Sequence, residues 1–139
     1  MSSRQIIVVG GGAAGFFAAI AAAEQGAAVT ILEKTGHCLE KVRISGGGRC
    51  NVTHACFVTR EFATRYPRGS KALLSPFQKF SARETVDWFA ARGVKLKTEA
   101  DGRMFPVTDS SETIIGCLMD AARRAGVVIR LNSPVDDVK

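Results

Sequence analysis

Gly10, Gly12 and Gly15 form a G-x-G-x-x-G pattern directly after the β-branched run Ile6-Ile7-Val8-Val9. Glycines at that spacing suit a pyrophosphate. The first permits a tight turn, the second lets the phosphates approach the backbone with no Cβ in the way, and the third lets a helix pack close against the strands. The phosphates then face the free N–H groups and positive end of the helix that opens at Ala13 and Ala14. Glu33, eighteen residues after Gly15, closes the next β-branched run, Val29 to Leu32. A carboxylate at that strand end accepts hydrogen bonds from both hydroxyls of an adenosine ribose and repels a 2′-phosphate, which favours FAD or NAD over NADP.

A second glycine motif, Ile44-Ser45-Gly46-Gly47-Gly48-Arg49-Cys50-Asn51, lies beyond the second strand. Consecutive glycines allow close approach, their N–H groups can form an anion-binding nest, and Arg49 can add positive charge near a pyrophosphate or a reduced flavin. Cys50 lacks the closely spaced partner of a disulfide reductase and reads as a small packing residue. Cys38, Cys50, Cys56 and Cys117 read as reduced thiols, and the separations of His37, Cys38, Cys50, His54 and Cys56 do not match a structural zinc site, so no metal is expected. The two histidines, His37 and His54, read as surface residues. Cys117 reads as core, with Ile114, Leu118 and Ala121; Phe77, Phe80, Trp88 and Phe89 read as core or domain-contact residues.

The elements that must position these motifs follow from periodicity. Ile6 to Val9 and Val29 to Leu32 read as buried parallel strands, joined by a helix from Ala13 to Gln25 that Gly26 ends. This βαβ unit runs from Arg4 to Lys34. From Thr35 to Ser75 periodicity fades, and little regular structure is expected. The capping-box pattern Ser81-Ala82-Arg83-Glu84 starts a helix that Gly93 stops. Asp101-Gly102 then signals a hairpin, with Pro106 arguing for an edge strand. Asp109 with Glu112 opens a helix over 110–125, and Val127 to Leu131 reads as a third parallel strand. The fold class is α/β: a Rossmann-like FAD/NAD(P)-binding fold, a partial parallel sheet with flanking helices and a small β-hairpin.

Lys41-Val42-Arg43-Ile44-Ser45-Gly46-Gly47-Gly48-Arg49-Cys50-Asn51-Val52-Thr53, together with Gly102-Arg103-Met104-Phe105-Pro106-Val107-Thr108, closely resembles the BaiN-like flavoproteins of bacteria and archaea, often called aminoacetone oxidase family FAD-binding enzymes. The resemblance covers nearly the whole chain. It implies an FAD site in which Gly10, Gly12, Ala13, Ala14 and Gly15 hold the pyrophosphate and Glu33 and Lys34 flank the adenosine ribose. Lys41 and Gly47, Gly48, Arg49, Cys50 and Asn51 would line the flavin side, and Val135 would offer its backbone to the adenine. Family members are much longer, so residues 1–139 read as an N-terminal, incomplete FAD-binding domain. Catalytic residues are not identified.

With 139 residues, 46% of them hydrophobic and 23% charged, the chain has the composition of one globular core. No apolar run approaches a membrane span, the start fits no signal peptide, and a cytoplasmic location without membrane contact is expected. The formal charge of +6 comes from scattered Lys and Arg with no basic run of five, which argues against a nucleic-acid partner. The reading that results is the FAD-binding portion of a flavin-dependent oxidoreductase, with NAD(P)H as reductant in the full-length protein. The alternative is a truncated, non-catalytic nucleotide-binding fragment holding NAD or no cofactor.

Overall fold

In a computed structural model that describes residues 4–139, the β-branched runs form the sheet that their composition demands. Strand β1 (Gln5–Val9) pairs in parallel with β2 (Ala28–Leu32), Ile6 opposite Val29 and Val8 opposite Ile31. Strand β6 (Val128–Arg130) joins the other side of β2 in parallel, giving the order β1-β2-β6. Helix α1 (Ala13–Glu24) links β1 to β2 and is rich in alanine, so its backbone can lie close to the strands. Alternation then sorts the side chains. Ile6, Val8, Val29, Ile31 and Ile129 face a core built from Phe16, Ala19 and Ile20 of α1 and Ile114, Leu118 and Ala122 of α6 (Ser111–Arg124). Burying a side chain such as Phe16 or Ile31 contributes about 1.5–3 kcal/mol. The opposite face carries Ile7, Val9 and Val128, which stay more than half exposed.

The stretch 35–75 is more ordered than its composition suggests. It contains α2 (Glu40–Ile44), a 3-10 turn over Ser45–Gly48, β3 (Thr53–His54), α3 (Thr59–Thr64) and α4 (Ser70–Lys79). The earlier elements are too short to show a period, and α4 is masked by Gly69 before it and Pro76 within it. The two later helices are held by a small separate core of Cys56, Phe62 and Ala82 with Phe77 against it. Pro76 sits inside α4, where the helix continues for only three further residues.

Helix α5 (Ala82–Ala90) starts as its sequence indicates: the Glu84 carboxylate reaches back to the Ser81 N–H at 2.7 Å. A second, antiparallel sheet follows, with β4 (Leu96–Thr98) and β5 (Arg103–Pro106) in the order β3-β5-β4. The edge position expected for the Pro106 strand is thus corrected, because β5 is central. Pro106 is tolerated as its last residue, beyond the point where β3 pairs with Arg103 and Met104. The cap of α6 is also one residue later than expected. Ser110 accepts from the Glu112 N–H at 3.3 Å, whereas Asp109 adopts a positive φ of 54° and turns its carboxylate to Lys97 and Arg49. His54 departs from its surface reading too: its ring lies beneath Gly102, Nε2 is 3.0 Å from the Asp101 carbonyl, and Nδ1 is buried without a partner.

Candidate functional site

At the end of β1 the chain turns through Gly10, whose N–H donates to the Leu32 carbonyl at 2.8 Å, and enters α1 at Gly12. A Cβ on Gly15 would overlap the Gly10 carbonyl oxygen, so helix and turn are in direct contact there. The first helical bond runs from the Phe16 N–H to the Gly12 carbonyl, which leaves the N–H groups of Ala13, Ala14 and Gly15 without helical partners. No side chain caps this end and no acid lies in its first turn. Ala13 and Ala14 are exposed, and a Cβ on Gly12 would meet nothing within 4 Å. The helix therefore presents an open, positive N-terminus suited to an anion.

Glu33 lies just beyond β2, beside that turn. Its carboxylate accepts from the Gly11 N–H at 2.7 Å and from the Thr35 N–H and hydroxyl at 2.8 and 2.9 Å. Those bonds, the Thr35 N–H foremost and Gly11 next, hold its pKa below the ordinary carboxylate range, so it stays charged. Lys34 beside it is exposed. The chain after β6 returns to the same place: Ser133 donates its N–H to the Glu33 carbonyl at 2.8 Å, which brings Val135 to this end of the sheet.

Gly11 is the residue that sequence reasoning passed over. The fingerprint leaves that position free, yet a Cβ there would come within 2.7 Å of the Cys38 sulfur and 3.1 Å of the Glu33 carboxylate. The run of three glycines was its only signal.

The second motif is a tight left-handed turn. Gly46, Gly47 and Gly48 have φ of 55°, 68° and 84°, and Cys50 has 61°. Only glycine adopts such a run without strain. A Cβ on Gly46 would meet the Asn51 nitrogen at 2.7 Å, whereas Gly47 and Gly48 open onto free space. The Asn51 amide, oriented as its partners require, donates to the Thr53 and Met104 carbonyls at 2.9 and 3.3 Å. Arg49 points elsewhere: its guanidinium pairs with Glu99 at 2.5 Å and Asp109 at 3.4 Å and stacks on Phe105 at 3.9 Å. Those partners, Glu99 first, hold its pKa up. Its charge thus ties the turn to the β4–β5 hairpin.

Between α1, α2, α5 and α6 a largely apolar cavity of about 500 Å³ opens beside the turn. It brings together four of the expected residues, Ala13, Lys41, Cys50 and Asn51, with Phe80 and Phe89, which the sequence offered only as core or domain-contact residues, and with Phe17, which it did not single out. Burial pushes the Cys50 thiol up, so it is neutral and packs. Glu33, Lys34, Gly47, Gly48, Arg49 and Val135 lie outside this cavity. The expected residues thus divide into an ionic end around Gly10–Gly15 and Glu33 and an apolar end around Cys50, joined at Ala13.

Comparison with known proteins gives the chain its family. Residues 4–139 match the family model described as HI0933-like protein Rossmann domain. The chain is 29% identical over 112 residues to the ribosomal RNA dihydrouridine synthase of Escherichia coli (strain K12), covering 81% of this chain and 27% of that protein. It is 31% identical over 113 residues to the 3-dehydro-bile acid delta(4,6)-reductase of Clostridium scindens, again covering 81% and 27%. It therefore spans about a quarter of the length of these curated relatives. Among solved structures, the 3-ketosteroid-delta4-(5alpha)-dehydrogenase of Rhodococcus jostii RHA1 shares the fold with a TM-score of 0.66 at 15% identity, over 95% of this chain and 38% of that one. A flavocytochrome c3 fumarate reductase aligns with a TM-score of 0.57 at 25% identity, over 94% and 27%. The chain belongs to the HI0933-like Rossmann-domain family.

Proposed function

We propose that this HI0933-like Rossmann domain binds FAD in extended form and serves as the cofactor-binding portion of a flavin-dependent oxidoreductase. The observation that carries the reading is the position of Ala13, which belongs both to the open N-terminus of α1 and to the wall of the apolar cavity. A ligand with an anionic middle and a flat apolar end fits that juxtaposition; a nicotinamide dinucleotide has no comparably large apolar ring. Gly10, Gly12, Ala13, Ala14 and Gly15 would hold the pyrophosphate, Glu33 the ribose hydroxyls with Lys34 beside them, and the Val135 backbone the adenine. Lys41, Cys50 and Asn51 would face the ring, with the backbone of Gly47, Gly48 and Arg49 along its edge. When bound, FAD supplies hydride transfer. Lys41, exposed at the cavity mouth, would place a positive charge where a reduced ring accumulates negative charge. The buried Cys50 and Phe89 would exclude water from the same side.

The names of the two curated relatives, a dihydrouridine synthase and a delta(4,6)-reductase, both describe saturation of a carbon–carbon double bond. We carry that reaction class to the full-length protein, with NAD(P)H as the reductant that recharges the flavin. The test is addition of FAD to the purified chain, followed by flavin absorbance and fluorescence. Saturable binding of one FAD, displaced by ADP and not by NADP, is expected. Binding of NAD with no binding of FAD would overturn the reading in favour of a simple nucleotide-binding fragment.

A further inference from the structure

The segment 62–83 contains five cations, Arg65, Arg68, Lys71, Lys79 and Arg83, and no acidic residue. The overall charge is therefore less scattered than a search for consecutive basic residues suggests. In space the segment is the turn and second arm of the α3–α4 hairpin and the start of α5, and all five cations are exposed. Among the described residues none of the five forms an ion pair, although Arg43, Arg49, Arg92, Lys97, Arg103 and Arg123 all do. Aromatic surface lies among them. Tyr66 is 39% exposed on a base of Phe62 and Phe77, and Phe57 is 40% exposed with the Arg83 guanidinium 3.9 Å above its ring.

From this arrangement we propose that the α3–α4 hairpin docks single-stranded nucleic acid, the cations on the phosphodiester backbone and Tyr66 and Phe57 as stacking surfaces for bases. Unpaired Lys and Arg attract a polyanion without first breaking local ion pairs, and exposed rings beside them accept unstacked bases of any sequence. A lipid surface suits the hairpin less well. The apolar side of α4, formed by Leu73, Leu74 and Phe77, is half-buried, and Phe77 packs onto Phe62, so α4 offers no fully exposed apolar stripe to lie in a bilayer. The inference stands apart from the flavin reading, since the five cations, Tyr66 and Phe57 all lie outside the apolar cavity, which this segment reaches only through Phe80.

The test is binding of a fluorescently labelled, mixed-sequence RNA of about 20 nucleotides to the 139-residue chain across a salt series. The triple variant Arg65→Glu, Arg68→Glu, Lys71→Glu is compared with Lys95→Glu, Arg124→Glu, Arg130→Glu, which changes net charge equally elsewhere, with the circular dichroism of each variant confirming its fold. The hairpin variant should lose about tenfold or more in affinity at low salt and about two units of salt slope, and the control much less. Equal losses in the two variants would overturn the proposal, because net charge alone would then explain binding. So would retention of the chain on phosphatidylserine vesicles with no retention on RNA.

Discussion

Two glycines of one motif make opposite residue-scale predictions. Gly12 has φ −89°, which alanine can adopt, and a Cβ there meets nothing within 4 Å. Gly12→Ala should leave the urea midpoint of the free chain within about 0.5 kcal/mol of its original stability while weakening FAD binding about tenfold or more. Gly15→Ala drives a Cβ into the Gly10 carbonyl and should cost about 1–3 kcal/mol before any ligand is added. Glu33 adds a pH prediction. Its pKa is lowered in the folded chain, chiefly by the Thr35 and Gly11 N–H groups, so its stabilising contribution is complete above the ordinary carboxylate range and is lost as pH falls through the lowered value. Glu33→Gln should therefore reduce stability at neutral pH and flatten the acid side of a pH–melting profile; an unchanged acid limb would show that those bonds carry no such role. The fingerprint glycines and Glu33 were legible because each has a fixed offset from a strand. Gly11 and the orientation of Arg49 were not, since Cys38, Glu99 and Asp109 meet them only through the fold.

For the elements, the glycine turn depends on the β4–β5 hairpin, because Arg49 bridges to Glu99 and Asp109, and Asp109 also holds Lys97. These groups are partly exposed, so Arg49→Met should lower the melting temperature only slightly, the loss shrinking in high salt, as read from thermal melts at two ionic strengths. Flavin retention should fall further than stability does, because the turn loses its anchor. The main βαβ unit and the capped helix α5 were readable from long periodic runs and the Ser81 box. Helices α3 and α4 were not: α3 has only six residues, α4 is masked by Gly69 at its start and Pro76 within it, and both are anchored by Phe62 and Phe77 in a separate cluster. The central place of β5 was hidden as well, since β3 contributes only Thr53 and His54 to the sheet.

Across the whole molecule, the parallel sheet is packed on one face and bare on the other. Ile31 is fully buried against α1 and α6, whereas Val9 is 59% exposed. Ile31→Ala should therefore cost about 2–5 kcal/mol, and Val9→Thr no more than about 0.5 kcal/mol, both read by denaturant unfolding. No helix among the described residues is long and apolar enough to cross a membrane. The ionic end at Glu33 and the apolar cavity at Cys50 meet at α1, and the central claim is that one FAD spans both. The most direct measurement is calorimetric titration of the chain with FAD and, separately, with ADP. The account predicts that both bind at one site and that FAD binds more tightly, with a more negative heat-capacity change from burial of the ring. Equal affinity and equal heat-capacity change for the two ligands would show that the cavity holds no flavin, and would contradict it.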